Sequence, residues 1–258
     1  MKLQEYRAMF AVEDGHWWYV GLRHQMLSAL DRFAFRRAGA SDRQRVLDAG
    51  CGTGGFLAHL ARADHRWAVG IDLEWEGLRL SRSRGLPHLL QGSVMALPFR
   101  ADTFDAIVSS DVLYHLGVDD LQTLREFRRV LKPGGVVVLQ VPAFEWLRSE
   151  HDAAIATRRR YTCAGLERLC EQAGLAVRHS SYRNAFLFPA IAVLRLLKRH
   201  RAHAENAQSD VKPTSPFLNA VLTKLLIFES HLVTQVRLPL GVSVFCVAER
   251  RVEHHPIE

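Results

Sequence analysis

The chain has 258 residues, 48% of them hydrophobic and 24% charged, and a formal net charge of +7. This composition is ordinary for a soluble α/β domain with additions and a sizeable core. It excludes a membrane-spanning protein, since no uncharged apolar run is long enough to cross a bilayer. The first residues lack the apolar core of a signal peptide, and four cysteines show no paired framework, so we expect a cytoplasmic protein with reduced thiols. The basic charge is compatible with nucleic acid, anionic lipid or a phosphorylated small molecule.

Residues 1–44 are expected to form a helical cap that precedes the sheet. Three large aromatic side chains, Trp17 to Tyr19, stand in a row beside a histidine. Two interpretations stay open for them. They form either a hydrophobic plug on the core or a lid over the ligand cleft, in which Trp17 and Tyr19 contact the substrate.

A strand, a glycine turn and a helix follow each other at residues 45–61. The apolar run before Asp48 predicts the end of a buried strand, and apolar residues at helical spacing begin at Phe56. Gly50, Gly52 and Gly54 lie between them, where the lack of a Cβ permits positive φ and lets a ligand approach the main chain. The pattern predicts a nucleotide-binding turn, with an ordinary tight turn as the alternative.

The spacing of this turn, Asp-x-Gly-x-Gly-x-Gly, differs from the Gly-x-Gly-x-x-Gly of pyrophosphate-binding dehydrogenases. The carboxylate of Asp48 would repel a pyrophosphate and attract a cation. A ligand with a nucleoside end and a cationic end fits, and S-adenosylmethionine carries a sulfonium and an ammonium but no phosphate. The stretch resembles the first motif of class I methyltransferases, which implies that cofactor.

Three later segments agree with this resemblance. A strand from Trp67 ends at Asp72, where a carboxylate can accept both ribose hydroxyls, although a helix N-cap is the alternative. Leu73 would pack on the adenine. After a third strand, Leu89 to Ser93, Ser93 stands where the family has an aspartate that accepts from the adenine amino group, and the backbone N–H of Val94 could serve the ring.

The fourth strand, Thr103 to Asp111, places Asp111 and His115 at the carboxyl edge of the sheet. We therefore assign Asp111 to the cofactor and His115 to catalysis. The helix and glycine turn at 121–135, followed by a fifth strand at 136–141, match a late motif of the same family, whose role there is structural.

The resemblance covers residues 45–142 in detail and 1–183 in outline. It implies a Rossmann-like sheet of seven strands, mostly parallel with the last strand antiparallel, and helices on both faces. The sixth and seventh strands are expected at 175–183 and 243–250, as an antiparallel hairpin at the sheet edge. The cofactor-binding core is then 45–183, and residues 243–258 form the last strand and tail.

The acceptor side is expected after the fifth strand. His151 is the candidate general base, oriented by Asp152 or Glu145. The alternative for the neighbouring arginines is structural, with Arg160 paired to Glu150 or Asp152. The residues assigned to the substrate in this loop are Trp146, Arg160 and Tyr161.

Residues 184–242 form an insertion far longer than a hairpin loop. It contains two apolar stretches, at 184–201 and 217–236, separated by a polar segment. Its helices are expected to cap the acceptor cleft, to lie on a membrane surface, or to form a homodimer interface. We favour the cap.

The function expected from these features is methyl transfer from S-adenosylmethionine to a small-molecule acceptor, anionic or hydroxylated, at oxygen or nitrogen. The alternatives are a tRNA or rRNA methyltransferase and a non-catalytic cofactor-binding subunit. Nucleic acid is not expected, because the fourth strand ends in Ser-Ser-Asp-Val rather than the Asn/Asp-Pro-Pro-Tyr of base-amino methylation. No histidine or cysteine cluster has the spacing of a metal site. A cytoplasmic location is expected, with contact at the inner membrane face if the insertion binds lipid.

Overall fold

The computed structural model describes residues 3–35, 44–62, 66–149, 152, 155–199 and 214–252. The strands are β1 Gln44–Ala49, β2 Arg66–Asp72, β3 Leu89–Gln91, β4 Phe104–Ser110, β5 Leu131–Pro142, β6 Leu175–Arg183 and β7 Ser243–Arg250. They form one sheet in the order β3-β2-β1-β4-β5-β7-β6. Strands β1 to β5 pair in parallel, and β7 is antiparallel to both β5 and β6. The expected seven-stranded mixed sheet and its edge hairpin are confirmed.

The described part of the chain also contains eight α-helices. They are α1 Leu3–Val12, α2 Trp17–Ala29, α3 Gly55–Ala61, α4 Trp75–Ser83, α5 Asp120–Val130, α6 Cys163–Gln172, α7 Phe188–Arg199 and α8 Pro216–Val233. A π-helical turn, Leu30–Ala34, continues α2, and a 3-10 turn, Glu145–Leu147, follows β5.

Both faces of the sheet are buried, because alternate residues of the central strands enter two separate hydrophobic cores. In β5, Val137, Leu139 and Val141 pack in the core that holds α5 and α6, whereas Val136 and Val138 pack in the core that holds α2, α3 and α4. This period of two is the geometry of an extended strand covered on both sides. The arrangement leaves the strand ends free to build a ligand site.

The fifth strand begins earlier than expected. Leu131 already pairs with Phe104 of β4, and a register shift separates this pair from the regular ladder that starts at Ala106 and Val136. The stretch 132–135, expected to be a tight turn before the strand, is therefore an irregular part of β5.

Helix α8 lies along α2, so the insertion is joined to the N-terminal cap. The side chain of Asn219 accepts a hydrogen bond from the backbone N–H of Trp17 at 2.9 Å and donates one to the carbonyl of Gly15 at 2.9 Å. Within the described residues, α8 is also a helix whose length and mean hydropathy of 1.2 would allow it to cross a membrane. One side of it, however, is packed on protein through Leu226, Glu229 and Val233.

Candidate functional site

One large cavity of about 950 Å³ lies at the carboxyl ends of the parallel strands. Its walls come from α1, α2 and α7, from the turn after β1, and from the loops after β2, β3 and β4. The strand order reverses between β1 and β4, which is where open α/β sheets bind ligands. The volume is at the upper end for small-molecule sites and leaves room for a cofactor and an acceptor.

The glycine turn after β1 has the backbone that its sequence predicted. Gly50, Gly52 and Gly54 have φ of 86°, 52° and 78°, in the left-handed region that side chains disfavour. A Cβ on Gly50 would also lie 2.2 Å from Cγ2 of Val112. Gly50 and Gly52 line the cavity, and Gly54 caps the start of α3. The turn is thus open to a ligand, and its role in holding the cofactor stays a prediction.

Two carboxyl groups stand beside this turn. Asp48 is 5% exposed, and burial, together with the charges of Asp72 and Glu13, raises its pKa to about 8. Burial also raises the pKa of Asp72, opposed by hydrogen bonds to its carboxylate from the N–H groups of Glu74 and Gly52 at 2.9 and 2.8 Å. Asp72 further accepts from the Tyr6 hydroxyl at 3.4 Å. A cationic ligand would relieve this concentration of buried acid.

The N-terminal segment closes on the turn through Glu13, a residue that the sequence did not single out. Its carboxylate accepts from the Thr53 hydroxyl and pairs with Arg84 at 2.6 Å. A Cβ on Gly55 would lie 2.3 Å from Oε2 of Glu13, so a larger residue there would force the Glu13 carboxylate to shift. Because Glu13 and the turn are far apart in the chain, no local pattern could have revealed the contact.

The expected adenine contacts all line the same cavity. Leu73 is 63% exposed and Val94 is buried. The Ser93 hydroxyl accepts from the N–H of Met95 at 3.2 Å, which leaves its own proton and a second lone pair for another partner. The assignment of these three residues to adenine stays a prediction.

The loop after β4 begins with Asp111 in a left-handed conformation, φ 60°. Its carboxylate accepts from Nε2 of Gln140 at 3.0 Å, and Oε1 of Gln140 accepts from Nη1 of Arg183 at 3.1 Å. Burial raises the pKa of Asp111 to about 6, opposed by Gln140 and by the charges of Arg183 and Arg160. Asp111 lines the cavity as expected, whereas Gln140 and Arg183, which hold it, were not predicted.

His115 lines the cavity close to Asp111 and is half-buried. Its Nδ1 lies 2.9 Å from the carbonyl oxygen of Ile155, which can only accept, so Nδ1 carries the proton and Nε2 carries the lone pair. Burial lowers the pKa of His115. This arrangement suits a neutral imidazole base, and catalysis by His115 stays a prediction.

Arg160 of the acceptor loop is paired with Asp152, which is the structural alternative to a role in binding substrate. Arg160 donates from Nε and Nη2 to the two carboxylate oxygens of Asp152, each at 2.8 Å, and from Nη1 to the carbonyl of Ala143 at 3.0 Å. Arg160 lines the cavity, but these contacts occupy its guanidinium. Asp152 also accepts from the N–H of Ser149 at 2.7 Å, so it is committed to the loop itself.

Two other residues assigned to the substrate are turned away from the cavity. Tyr161 is buried, and its hydroxyl is bonded to Asp120 at 2.9 Å and to the carbonyl of Leu113 at 3.1 Å. Trp146 is 44% exposed and packs against Phe144 and Phe188, outside the cavity wall. Both side chains are held by packing that the sequence pattern did not reveal.

The expected general base, His151, lies outside the described residues, as does Glu150. The two carboxylates expected to orient it have other partners. Asp152 is bonded to Arg160, and Glu145 accepts from Arg148 and from the N–H of Arg160 at 2.9 Å. Of the two candidate bases, His115 is the one that lies among the described residues, in the cavity wall.

The aromatic run of the N-terminal cap faces the cavity, with Trp17, Trp18 and Tyr19 all in its wall. Trp18 also covers Arg183, whose guanidinium carbon lies 5.4 Å from the ring centroid. Their position in the cavity wall is the one expected of a lid, and contact with a substrate stays a prediction. Helix α7 contributes Ile191 and Leu194 to the wall, whereas α8 supports the lid from behind.

Within the described ranges, no group of three histidine, cysteine, aspartate or glutamate side chains is placed to hold a metal ion.

Residues 47–139 match the model of a methyltransferase domain. The chain is 35% identical to the glycine/sarcosine/dimethylglycine N-methyltransferase of Actinopolyspora halophila, over 48% of this chain and 24% of that protein. It is 35% identical to the ubiquinone/menaquinone biosynthesis C-methyltransferase UbiE of Vibrio parahaemolyticus, over 47% of this chain and 51% of that protein. It is 29% identical to the tRNA U34 carboxymethyltransferase of Pseudomonas aeruginosa, over 67% of this chain and 48% of that protein. The chain thus spans about a quarter to a half of the length of these relatives.

Solved structures share the fold. A chain of the complex between the Haloferax volcanii Trm112 methyltransferase activator and a methyltransferase superposes with a TM-score of 0.61 and 22% identity, over 98% of this chain and 96% of that one. The phosphoethanolamine N-methyltransferase 2 of Haemonchus contortus, solved with S-adenosyl-L-methionine, superposes with a TM-score of 0.58 and 18% identity, over 88% of this chain and 52% of that one.

The glycine turn with its buried acids, the sheet order and the matched domain agree with one another. Residues 47–139 form a methyltransferase domain of the class I S-adenosylmethionine-dependent kind, whose cofactor is S-adenosylmethionine.

Proposed function

We propose that this protein transfers the methyl group of S-adenosylmethionine to a small-molecule acceptor, at oxygen or nitrogen. The observation that supports this most directly is one continuous cavity whose wall holds two sets of groups. We call the glycine turn with Asp48, Asp72 and Asp111 the cofactor end, and Tyr114 with His115 the acceptor end. Such a cavity brings a cofactor and an acceptor into contact away from bulk water.

At the cofactor end, the chain's groups match the charge of the ligand. Asp72 would accept from the ribose hydroxyls, in competition with the Tyr6 hydroxyl that it now binds. Asp48 would face the cationic tail in a buried setting, where the attraction is stronger than in water. When bound, S-adenosylmethionine supplies an electrophilic methyl carbon, and the C–S bond breaks with its electron pair passing to sulfur.

At the acceptor end, His115 would remove a proton. A hydroxyl acceptor must lose a proton as it attacks, and the lone pair of Nε2 can take it, because Nδ1 is held by the carbonyl of Ile155. A neutral amine needs less help, so positioning by the aromatic cap would supply most of the rate.

Methyl transfer to tRNA is the second candidate. The net charge of +7 favours it, and the relatives include a tRNA methyltransferase from Arabidopsis thaliana and a tRNA U34 carboxymethyltransferase from Pseudomonas aeruginosa. The partly apolar cavity, with six Phe, Tyr and Trp residues and helix α7 in its wall, favours a small acceptor instead. A chain with the same fold was solved in a complex with the Trm112 methyltransferase activator. This second candidate therefore includes a protein partner of that kind.

A labelling experiment separates the candidates. Purified protein is incubated with methyl-labelled S-adenosylmethionine and a cell extract, which is then divided into small-molecule, lipid and RNA fractions. We expect label in the small-molecule or lipid fraction. Label confined to RNA would favour the second candidate, and no label in any fraction, with cofactor binding intact, would favour a non-catalytic subunit.

Two variants sharpen this experiment. Asp72→Ala should weaken cofactor binding by about tenfold to a hundredfold, from the loss of charged hydrogen bonds, while Glu171→Ala on the surface of α6 serves as its control. His115→Gln should leave cofactor affinity unchanged and lower the rate by about 10²- to 10⁴-fold for a hydroxyl acceptor. An unchanged rate would remove His115 from the mechanism.

A further inference from the structure

The outward side of α7 is almost entirely apolar. From Phe188 to Leu197, the exposed residues are Pro189, Ala190, Val193, Leu194, Leu196 and Leu197. The last four are 46 to 61% exposed. A helix that faces only water normally presents charged or polar residues on its outer side.

The outward side of α8 continues this surface. Phe217, Val221, Lys224, Phe228 and His231 recur at helical spacing and are exposed, with Phe217 at 82% and Phe228 at 61%. The opposite side of the helix, with Leu226, Glu229 and Val233, is packed on the protein. The helix therefore has one side bound to the fold and one largely apolar side that no other described residue covers.

The two helices present one surface rather than two. Phe186, just before α7, is 49% exposed, and its ring centroid lies 6.2 Å from that of Phe228 on α8. We call the combined surface the α7–α8 face: Phe186, Val193, Leu194, Leu196 and Leu197 with Phe217, Leu218, Val221, Lys224 and Phe228. Contiguous apolar surface of this kind marks an interaction site.

The charges of this face indicate its partner. Helix α7 contains no acidic residue, and the one carboxylate of α8, Glu229, is 1% exposed. The exposed charge on the face is the basic Lys224, on a chain with a net charge of +7. A second copy, packed by two-fold symmetry, would bring like charges together, whereas an anionic lipid surface would be attracted.

We propose that the α7–α8 face docks on the surface of an anionic lipid bilayer, with its apolar side chains below the headgroups. The helices lie on the membrane and do not cross it, because Glu229 is held inside the fold by hydrogen bonds from the N–H groups of Asn184 and Phe186. Extracting α8 into lipid would expose that carboxylate to hydrocarbon.

This docking has a consequence for the acceptor, which rests on the proposed methyl transfer. Leu194 belongs both to the α7–α8 face and to the wall of the cavity. The cavity therefore meets the docked surface at α7, and an amphipathic acceptor can pass from the lipid into the site without crossing water. The docking itself does not depend on this consequence.

Vesicle flotation tests the docking. The 258-residue chain is mixed with vesicles of phosphatidylcholine alone or of phosphatidylcholine with phosphatidylglycerol, at low and high salt. We expect flotation with the anionic vesicles, reduced by salt because the electrostatic part is screened. The double variant Leu197→Ser/Phe217→Ser should weaken partitioning by about tenfold or more, since each side chain loses its burial in lipid.

The control is Val252→Ser, since Val252 is 52% exposed and follows β7 at the opposite end of the sheet. Cofactor calorimetry on every variant verifies the folded site independently. Equal flotation of the double variant and the control, or no flotation of the parent protein, would overturn the docking and leave the proposed methyl transfer untouched. A stable dimer that the double variant dissociates would overturn it in favour of a second copy.

Discussion

Asp48 is a carboxyl group whose ionisation the fold opposes. Its pKa of about 8 results mainly from burial and then from the charges of Asp72 and Glu13. In the ligand-free protein near pH 7, most of the population is therefore protonated. A cation placed against the group would favour its charged form and lower that pKa.

We therefore expect cofactor binding near neutral pH to release up to one proton. Calorimetry in buffers of different ionisation enthalpy measures this number directly. Asp48→Asn should abolish the release, whereas Glu171→Gln at the surface should not. Equal proton release by the parent and Asp48→Asn would mean that the cation does not lie against Asp48.

The same group gives a stability prediction of definite sign. The folded-state pKa of about 8 lies above the ordinary 3.8. Between these values the unfolded chain releases the proton of Asp48 while the folded chain keeps it, so the free energy of unfolding falls as the pH rises. Asp48→Asn should raise the thermal midpoint of the ligand-free protein at pH 8, with a smaller gain at pH 5. Scanning calorimetry at both pH values checks the sign, and a gain that grows toward acid would contradict the burial argument.

At the scale of elements, α8 fixes the start of α2 through Asn219. The amide makes two hydrogen bonds to backbone groups at Gly15 and Trp17, immediately before the aromatic residues that line the cavity. Asn219→Ala should cost about 1–2 kcal/mol of stability and loosen this end of α2.

We expect faster amide exchange at residues 16–20 and a higher KM for the acceptor in Asn219→Ala, with little change in cofactor affinity. Thr223→Ala, one turn along the same helix, is the matched control. If both variants exchange at the same rate, α8 does not hold the aromatic cap in place.

The elements themselves were largely predicted from the sequence. The sixth and seventh strands were predicted with the bounds that are observed, and the seventh begins as a short apolar run. The start of β5 was missed, because its first residues pair through a register shift rather than through a hydrophobic pattern. The long insertion was recognised by its length, and its two helices by their spacing.

At the scale of the whole molecule, a buried polar chain joins the site to the insertion. Asp111, Gln140 and Arg183 are linked across β4, β5 and β6. Burial lowers the pKa of Arg183 to about 10, while the charges of Glu229 on α8 and of Asp111 oppose the shift. Trp18 of the aromatic cap covers the same guanidinium.

Removing the charge of Arg183 should leave the buried carboxylates of Asp111 and Glu229 uncompensated. We expect Arg183→Met to lower the free energy of unfolding by about 3–5 kcal/mol. The double variant Arg183→Met/Glu229→Gln should recover part of the loss, since it also removes the acid on α8. Urea unfolding of the parent, both single variants and the double variant gives the coupling energy, and strictly additive losses would show that Arg183 and Glu229 act independently.

The sequence by itself determined the class of ligand and the architecture that holds it. The glycine spacing after β1, the carboxylates Asp48 and Asp72, and strands of period two are local patterns, and local geometry is enough to interpret them. Tertiary structure alone decided which groups surround the site. Glu13 meets Arg84, and the charge of Glu229 acts on Arg183, because distant segments pack together. Such contacts depend on the distance between elements in space, which a linear pattern does not contain.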